Sequence, residues 1–139
     1  MIRPAFVIAF CFVAISSMSA QQIVGVLLTE NSADGGMTGG YVNFSFSDQK
    51  ICEATLRNYF RGLLVDCPQC KVQGQSCSDR LPARLEPMRQ NSSFSVPYVT
   101  QGSTRHWFMG KSRAELVNLC RNTAKKMVQV GFSDARCIE

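Results

Sequence analysis

The stretch YVNFSFSDQKICEATLRNYFRGLL, residues 41–64, changes its hydrophobic period and so decides the fold class. Its first part alternates, which predicts a half-buried strand. The residues on the apolar face of that strand are Val42, Phe44 and Phe46. Beyond this point apolar residues recur at helical spacing, and Ser47 or Asp48 is suited to cap a helix by accepting a backbone N–H. The stretch therefore predicts a strand that leads directly into an amphipathic helix.

A second predicted strand precedes this stretch. Residues 23–29 form a short apolar, β-branched run, which is typical of a buried strand. Residues 31–40 contain two Gly-Gly pairs and predict a flexible connection. The chain therefore starts its fold with a β-hairpin that has a long loop and is followed by a helix.

The same order of elements recurs near the C-terminus. Residues 94–99 and 106–109 predict two strands of a second hairpin, with a turn over 100–104. The sequence Ser112-Arg-Ala-Glu115 predicts a capping box, in which the Ser and Glu side chains each bind the other residue's backbone N–H. An apolar face continues beyond it, which predicts a helix over 113–130.

The two hairpin–helix segments predict an α+β fold. Each must bury an apolar face, and the simplest solution is an antiparallel sheet of two β-hairpins with both amphipathic helices packed on one face. The Pro- and Cys-rich residues 66–92 predict an irregular loop between the segments. The internal similarity is weak, because Cys52 lies five residues after Ser47 whereas Cys120 lies eight residues after Ser112.

The N-terminal residues have the pattern of a secretory signal peptide. A basic residue near the start is followed by an apolar run over residues 5–15, which is too short to span a bilayer as a helix. Small residues fit cleavage after Ser19 or Ala20. We expect a cleaved signal peptide at 1–20, one domain at 21–139, no stable membrane span after cleavage, and a secreted or periplasmic protein.

Export changes the interpretation of the cysteines. Cleavage removes Cys11 and leaves an even number, which in an oxidising compartment predicts three disulfides. The six structural cysteines are Cys52, Cys67, Cys70, Cys77, Cys120 and Cys137. The helical Cys52 and Cys120 should face the core. We expect Cys120 to pair with Cys137, and Cys52 to pair with one of the loop cysteines, Cys67, Cys70 or Cys77.

The motif Cys67-Pro-Gln-Cys70 is the only one with a possible catalytic mechanism. A C-x-x-C pair at a helix N-terminus can have a reactive thiolate, so a thiol–disulfide exchange protein is an alternative interpretation. The residues that follow contain Gly74 and no apolar period, so no helix is predicted to begin there. A structural bridge is therefore favoured. Zinc binding is the weakest alternative in an oxidising compartment, and no metal or cofactor is predicted.

The composition excludes several other functions. The chain has a net charge of +5, too low to indicate a dedicated nucleic-acid binder, and a single histidine, His106. One imidazole excludes sites that need two. No nucleophile motif accompanies His106, so it is predicted to be an ordinary surface or half-buried strand residue. We therefore predict that the protein is not an enzyme.

A cluster of basic and aromatic residues is the predicted binding surface. Its members are Tyr98, Arg105, Trp107, Lys111 and Arg113. It would suit a protein or an anionic polymer of the cell envelope or extracellular space. The predicted function is an exported, non-enzymatic binding or accessory protein. A further alternative is a small secreted inhibitor or effector that binds a partner through the loop at 66–92.

Two sequences match the N-glycosylation pattern. They are Asn43-Phe-Ser45 and Asn91-Ser-Ser93, and they matter only in a eukaryotic secretory pathway. Asn43 falls within a predicted strand, whereas Asn91 falls within the predicted loop. Asn91 is therefore the favoured acceptor.

Overall fold

An antiparallel sheet lies at the centre of the fold. The structure is a computed structural model that describes residues 22–139, so the predicted signal peptide at 1–20 lies outside the described residues. The strands are β1 (Ile23–Asn31), β2 (Met37–Phe46), β3 (Cys70–Ser78), β4 (Tyr98–Gln101), β5 (Thr104–Met109) and β6 (Arg136–Ile138). The helices are α1 (Gln49–Asp66), α2 (Glu86–Arg89) and α3 (Arg113–Gln129), with a 3₁₀ turn at Ala83–Leu85. The α+β prediction is confirmed. Within residues 22–139, no helix is long and apolar enough to cross a membrane.

The strand order reveals an internal symmetry. The strand order across the sheet is β3-β1-β2-β5-β4-β6. From either edge strand inward, the next two strands are the first and then the second strand of a β-hairpin. The N-terminal half (residues 23–78) is β1-β2-α1-β3, and the C-terminal half (residues 98–138) is β4-β5-α3-β6. Both halves therefore have one topology, and the antiparallel pair β2–β5 joins them at a pseudo-twofold axis. The repeat that is weak in the sequence is clear in the topology.

The third strand corrects the prediction of an irregular loop over 66–92. Residues Cys70–Ser78 pair with β1 along their length and form one edge of the sheet. Their sequence shows no alternation because the strand is mostly exposed, with few buried side chains to impose a period. Residues 79–97, which we call the crossing segment, contain only the short helical turns.

The hairpin boundaries also differ from the predicted ones. β1 and β2 extend into the Gly-rich stretch, which leaves only residues 32–36 as the connection. In the second hairpin, β4 begins at Tyr98, and residues 94–97 are not in a strand. Gly102, at φ 51, occupies the left-handed region in the tight turn before β5.

Both long helices begin where side-chain capping predicts. Asp48 Oδ1 accepts from the backbone N–H of Lys50 at 2.7 Å and of Ile51 at 3.1 Å. At the start of α3, the Ser112 hydroxyl accepts from the Glu115 N–H, and the Glu115 carboxylate accepts from the Ser112 N–H. The predicted capping box is therefore present.

Both long helices cover the same face of the sheet, as predicted. Under α1 lies an apolar cluster of Leu27, Tyr41, Phe46, Cys52 and Leu56. Under α3 lies a smaller cluster of Val99, Cys120 and Ala124. Because side chains alternate along a strand, the neighbouring residues of these strands point to the opposite face.

The crossing segment covers the opposite face, a role that the sequence did not indicate. Its Leu85 and Met88 are buried against the sheet. The strand residues of this cluster are Val24, Val26, Val42, Phe44, Tyr98 and Trp107. The ring of Trp107 lies directly over Gly40 of the paired strand, where a Cβ atom would come within 2.0 Å of it. The sheet is therefore buried on both faces.

Three disulfides connect the six cysteines within residues 22–139. Cys120 pairs with Cys137, as predicted, and the partner of Cys52 is Cys77. Each of these two bridges connects the helix of one half to the outer strand of the same half. The remaining pair, Cys67–Cys70, connects the end of α1 to the start of β3.

Candidate functional site

A groove runs between α1 and α3 over the middle of the sheet. Its floor is the β2–β5 pair, where the two halves meet. One wall comes from Tyr59 and Leu63, one turn apart on α1. The other wall comes from half-buried residues at four-residue spacing on α3, Leu119, Thr123 and Met127. Because these residues lie beside the fully buried stripe of α3, they line the groove without closing it.

Three hollows form this groove. One end, of about 390 Å³, is lined by Met127 and Phe132 among others. The other end, of about 370 Å³, is lined by Leu63, Leu119 and the Cys67–Cys70 bridge. A small hollow of about 70 Å³ lies between the two ends and shares lining residues with both of them. Each end is within the size range of small-molecule sites.

A cluster of three rings occupies the middle of the groove. The rings of Tyr41 and Tyr59 are stacked, with centroids 4.2 Å apart and an interplanar angle of 22°. The His106 ring lies 5.1 Å from that of Tyr41. The Tyr59 hydroxyl lies 3.0 Å from His106 Nδ1, at hydrogen-bond distance. Three elements, α1, β2 and β5, therefore converge on this point.

Burial keeps this cluster neutral. It lowers the pKa of His106 from 6.5 to about 4, because the charged imidazolium loses its hydration. Burial, with a smaller contribution from the proximity of Tyr41, raises the pKa of Tyr59 to about 12. At neutral pH the Tyr59 phenol and the His106 imidazole are therefore both uncharged, and they are hydrogen-bonded to each other. His106 is a partly buried strand residue, which confirms its predicted setting.

The groove as a whole is poor in charge. Among the described residues that line its three hollows, only Asp66 carries a full charge at neutral pH, and it lies at the Cys67–Cys70 end. The lining is otherwise aliphatic, aromatic or neutral and polar. Such a surface favours a largely apolar ligand and provides hydrogen-bonding atoms mainly at its centre.

The predicted basic and aromatic surface is wrong in its central part. Tyr98, Arg105 and Trp107 are 1%, 4% and 2% exposed, so they do not form a surface. All three point to the face covered by the crossing segment. The prediction of a binding surface required these residues to be exposed, but the crossing segment buries that side of both strands.

These buried residues hold the crossing segment instead. Arg105 Nε donates to Met88 O at 2.9 Å, and Nη1 donates to Gly102 O at 2.8 Å. The Tyr98 hydroxyl donates to Ser92 O at 2.7 Å. The basic and aromatic character that suggested recognition of a ligand therefore has a structural role.

Of the other two members of the predicted surface, Arg113 is exposed and Lys111 is half-buried. Lys111 Nζ lies 2.7 Å from Asp34 Oδ1 in an ion pair that fixes the loop between β1 and β2. The pairing with Asp34 raises the pKa of Lys111. Arg113 is exposed in the first turn of α3. An anionic polymer as the partner stays a prediction, with a much smaller surface to support it.

The Cys67–Cys70 bridge lies at the wrong end of a helix for an activated thiolate. Cys67 is the C-terminal cap of α1, and Cys70 begins β3. The carbonyl end of a helix carries partial negative charge, which disfavours a thiolate. Among residues 22–139 there is also no group of three or more His, Cys, Asp or Glu side chains that could hold a metal ion.

Comparisons of the chain with protein-family models, with curated proteins and with solved structures each found no match. The groove was not predicted from the sequence either, since its floor joins two strands that are about 60 residues apart in the chain. The signal that was available was the second apolar row on α3, residues 119, 123 and 127, beside the buried stripe.

Proposed function

We propose that the protein is an exported, non-enzymatic binding protein whose groove takes an elongated, largely apolar small molecule. The observation that carries this proposal is the groove itself, whose two ends of about 390 and 370 Å³ lie on either side of a neutral ring cluster. A binding site needs an accessible apolar cleft with a few polar atoms that orient the ligand. The groove has both.

The charge pattern narrows the class of ligand. The Tyr59 hydroxyl and the His106 imidazole offer neutral hydrogen bonds at the centre of the groove. Asp66 at one end would repel an anionic head group. A neutral molecule with a long alkyl chain, such as a fatty alcohol or an ester, therefore fits better than a fatty acid.

Export is supported by the sequence pattern at 1–20 and by the three disulfides, which persist in oxidising compartments. The periplasm and the extracellular space both meet this condition. The three bridges would also hold the walls of the groove against unfolding and proteolysis. Accordingly, a secreted or periplasmic location is part of the proposal.

Binding of a pyrene-labelled fatty alcohol, followed by fluorescence titration, tests the groove. Met127→Lys and Leu63→Lys introduce a charge into the two ends and should each weaken binding by about tenfold or more. The matched controls are Val128→Lys and Val65→Lys on the same helices, because Val128 and Val65 are 46% and 80% exposed and do not line the groove. These controls should bind as the unaltered protein does.

Thermal unfolding of all four variants separates lost binding from lost folding. If the probe does not bind, or if the groove variants bind as well as their controls, the proposed ligand class is wrong. Release of the probe by reduction of Cys67–Cys70 alone would instead favour a function that depends on that bridge.

A further inference from the structure

The turn after α2 lies on the opposite side of the sheet from the groove and has a fixed backbone. The Ser92 N–H donates to Pro87 O at 2.9 Å, and the Asn91 N–H donates to Met88 O at 3.3 Å. These two bonds form a Schellman motif, which places its C′ residue in the left-handed region. Asn91 occupies that position, at φ 53, and asparagine tolerates it better than most residues do. The two backbone bonds of the motif hold this conformation, and no side-chain hydrogen bond of Asn91 takes part in it.

The side chains of this turn are exposed and unengaged. Asn91, Ser92 and Ser93 are all exposed. Within residues 22–139, neither the side-chain amide of Asn91 nor the hydroxyl of Ser93 has a hydrogen-bond partner. The Tyr98 hydroxyl holds the turn from below through Ser92 O. The turn thus presents an Asn-X-Ser sequence on a rigid support.

The other sequence of this type is built into the sheet. Asn43 lies on β2 and pairs with Gly25 on one side and Thr104 on the other. Its Oδ1 accepts from the Ser45 N–H at 3.0 Å, and its Nδ2 donates to the Tyr41 hydroxyl at 3.3 Å. A sugar on this nitrogen would displace the bond to Tyr41 on the helix-covered face.

We propose that Asn91, and not Asn43, is N-glycosylated when the chain passes through a eukaryotic secretory pathway. Residues 91–93 match the Asn-X-Ser/Thr pattern, with serine at the central position. The donor is an oligosaccharide carried on a lipid diphosphate. Asn91 Nδ2 bonds to the anomeric carbon, the bond from that carbon to the diphosphate breaks, and the lost amide proton leaves with the diphosphate. The proposal rests on the export proposed above.

A glycan at this position would cover the crossing segment and leave the groove open. The crossing segment packs on the face opposite α1 and α3 through Leu85 and Met88. Because the groove lies between those helices, a sugar on Asn91 does not obstruct a ligand. Glycosylation and ligand binding are therefore compatible on one molecule.

Expression of residues 1–139 in mammalian cells tests the proposal. The secreted chain should carry one N-glycan, seen as a mass difference that a peptide N-glycosidase removes. Ser93→Ala should abolish this difference, whereas Ser92→Ala, a change of the neighbouring exposed serine, should retain it. Asn91→Gly should abolish it while keeping the left-handed backbone, and Ser45→Ala should leave it unchanged.

Two results would overturn the proposal. One is a secreted chain of the mass expected without a glycan, and the other is a glycan that survives Ser93→Ala or disappears with Ser45→Ala. A chain that stays in the cytosol with residues 1–20 attached contradicts export instead. In that event the same variants are made in residues 21–139 fused to an established secretory leader. The same mass differences then show whether Asn91 carries the glycan.

Discussion

The two halves of the molecule share one topology but are held together differently. The strands of the N-terminal half are 9, 10 and 9 residues long, whereas those of the C-terminal half are 4, 6 and 3 residues long. Helix α1 packs on a cluster that contains large residues, including Leu27, Tyr41 and Phe46. Helix α3 packs on a smaller cluster in which Cys120 and Ala124 meet Val99, and its only other buried residue is Leu116. The same topology therefore accommodates a core of mainly large apolar side chains in the N-terminal half and a core centred on a disulfide in the C-terminal half.

The disulfides make this difference measurable. The bridges close segments of similar length, with sequence separations of 25 for Cys52–Cys77 and 17 for Cys120–Cys137. In the chain-entropy model, both stabilise the fold by about 3 kcal/mol. The model therefore predicts similar losses of unfolding free energy when either bridge is removed. A larger difference between the two losses must come from how much each half depends on its bridge in the folded state.

The largest effect is expected from removal of Cys120–Cys137. The double variant Cys120→Ala/Cys137→Ala should lose about 4 kcal/mol of unfolding free energy in urea, because the three-residue β6 then has little else to hold it. Cys52→Ala/Cys77→Ala should lose about 3 kcal/mol. Hydrogen exchange should rise across α3 and β6 in the first variant. A larger loss in the second variant would reverse the comparison between the halves.

The junction between the halves gives the next effect. Gly40→Ala should cost about 3 kcal/mol, because its Cβ would come within 2.0 Å of the Trp107 ring in a site buried on both faces. The control is Gly62→Ala on α1, where a Cβ meets nothing within 4 Å. Since alanine is the better helix former, this control should stabilise by about 0.5–1 kcal/mol. If Gly40→Ala left the free energy of unfolding unchanged, the junction would be loosely packed.

The ring cluster should make the junction sensitive to acid. The pKa of His106 is about 4 in the folded protein, below the ordinary 6.5, so the unfolded chain takes up a proton first as the pH falls. Stability should therefore decrease between about pH 6.5 and 4, by up to about 3 kcal/mol, and this contribution should end below pH 4.

His106→Gln should flatten the stability curve in that range of pH, measured by urea unfolding at each pH. The lowered pKa values of Glu115 and Glu139 affect stability only as the pH falls toward 4.5 and below, and they do so equally in both proteins. An unchanged curve in the variant would show that His106 is charged or exposed in the folded protein.

The smallest effects compare the two helix caps. Asp48→Ala and Ser112→Ala should each cost about 1 kcal/mol, since each leaves backbone N–H groups of the first turn without a partner. Hydrogen exchange should rise only at the start of α1 in the first variant and only at the start of α3 in the second. A rise in both helices from either substitution would mean that the halves unfold as one unit even locally.

Local signals in the sequence were sufficient for much of the fold. Short-range spacing and apolar period predict the capping box at Ser112, a cap for α1 at either Ser47 or Asp48, the two hairpins, and the pairing of Cys120 with Cys137. The strand Cys70–Ser78 did not, because an exposed edge strand has no side-chain pattern and is formed through backbone bonds to β1.

The main feature that the sequence did not reveal is that the second face of the sheet is also buried. Tyr98, Arg105 and Trp107 have the composition of a binding surface, but the crossing segment covers them. Whether a strand has one buried face or two depends on which distant segment packs on it, and local alternation does not report this. The groove has the same origin, since it exists only where the two halves meet.

Trp107 is the only tryptophan in the chain, and it lies on the strand pair that joins the halves. Its indole ring is 2% exposed and rests on Gly40 of the other half. The protein therefore contains its own optical probe of the junction. Its emission should shift to longer wavelength when the halves separate or the crossing segment is released, whereas fraying at either outer strand should leave the spectrum unchanged. One fluorescence trace thus distinguishes opening between the repeats from unravelling at their edges.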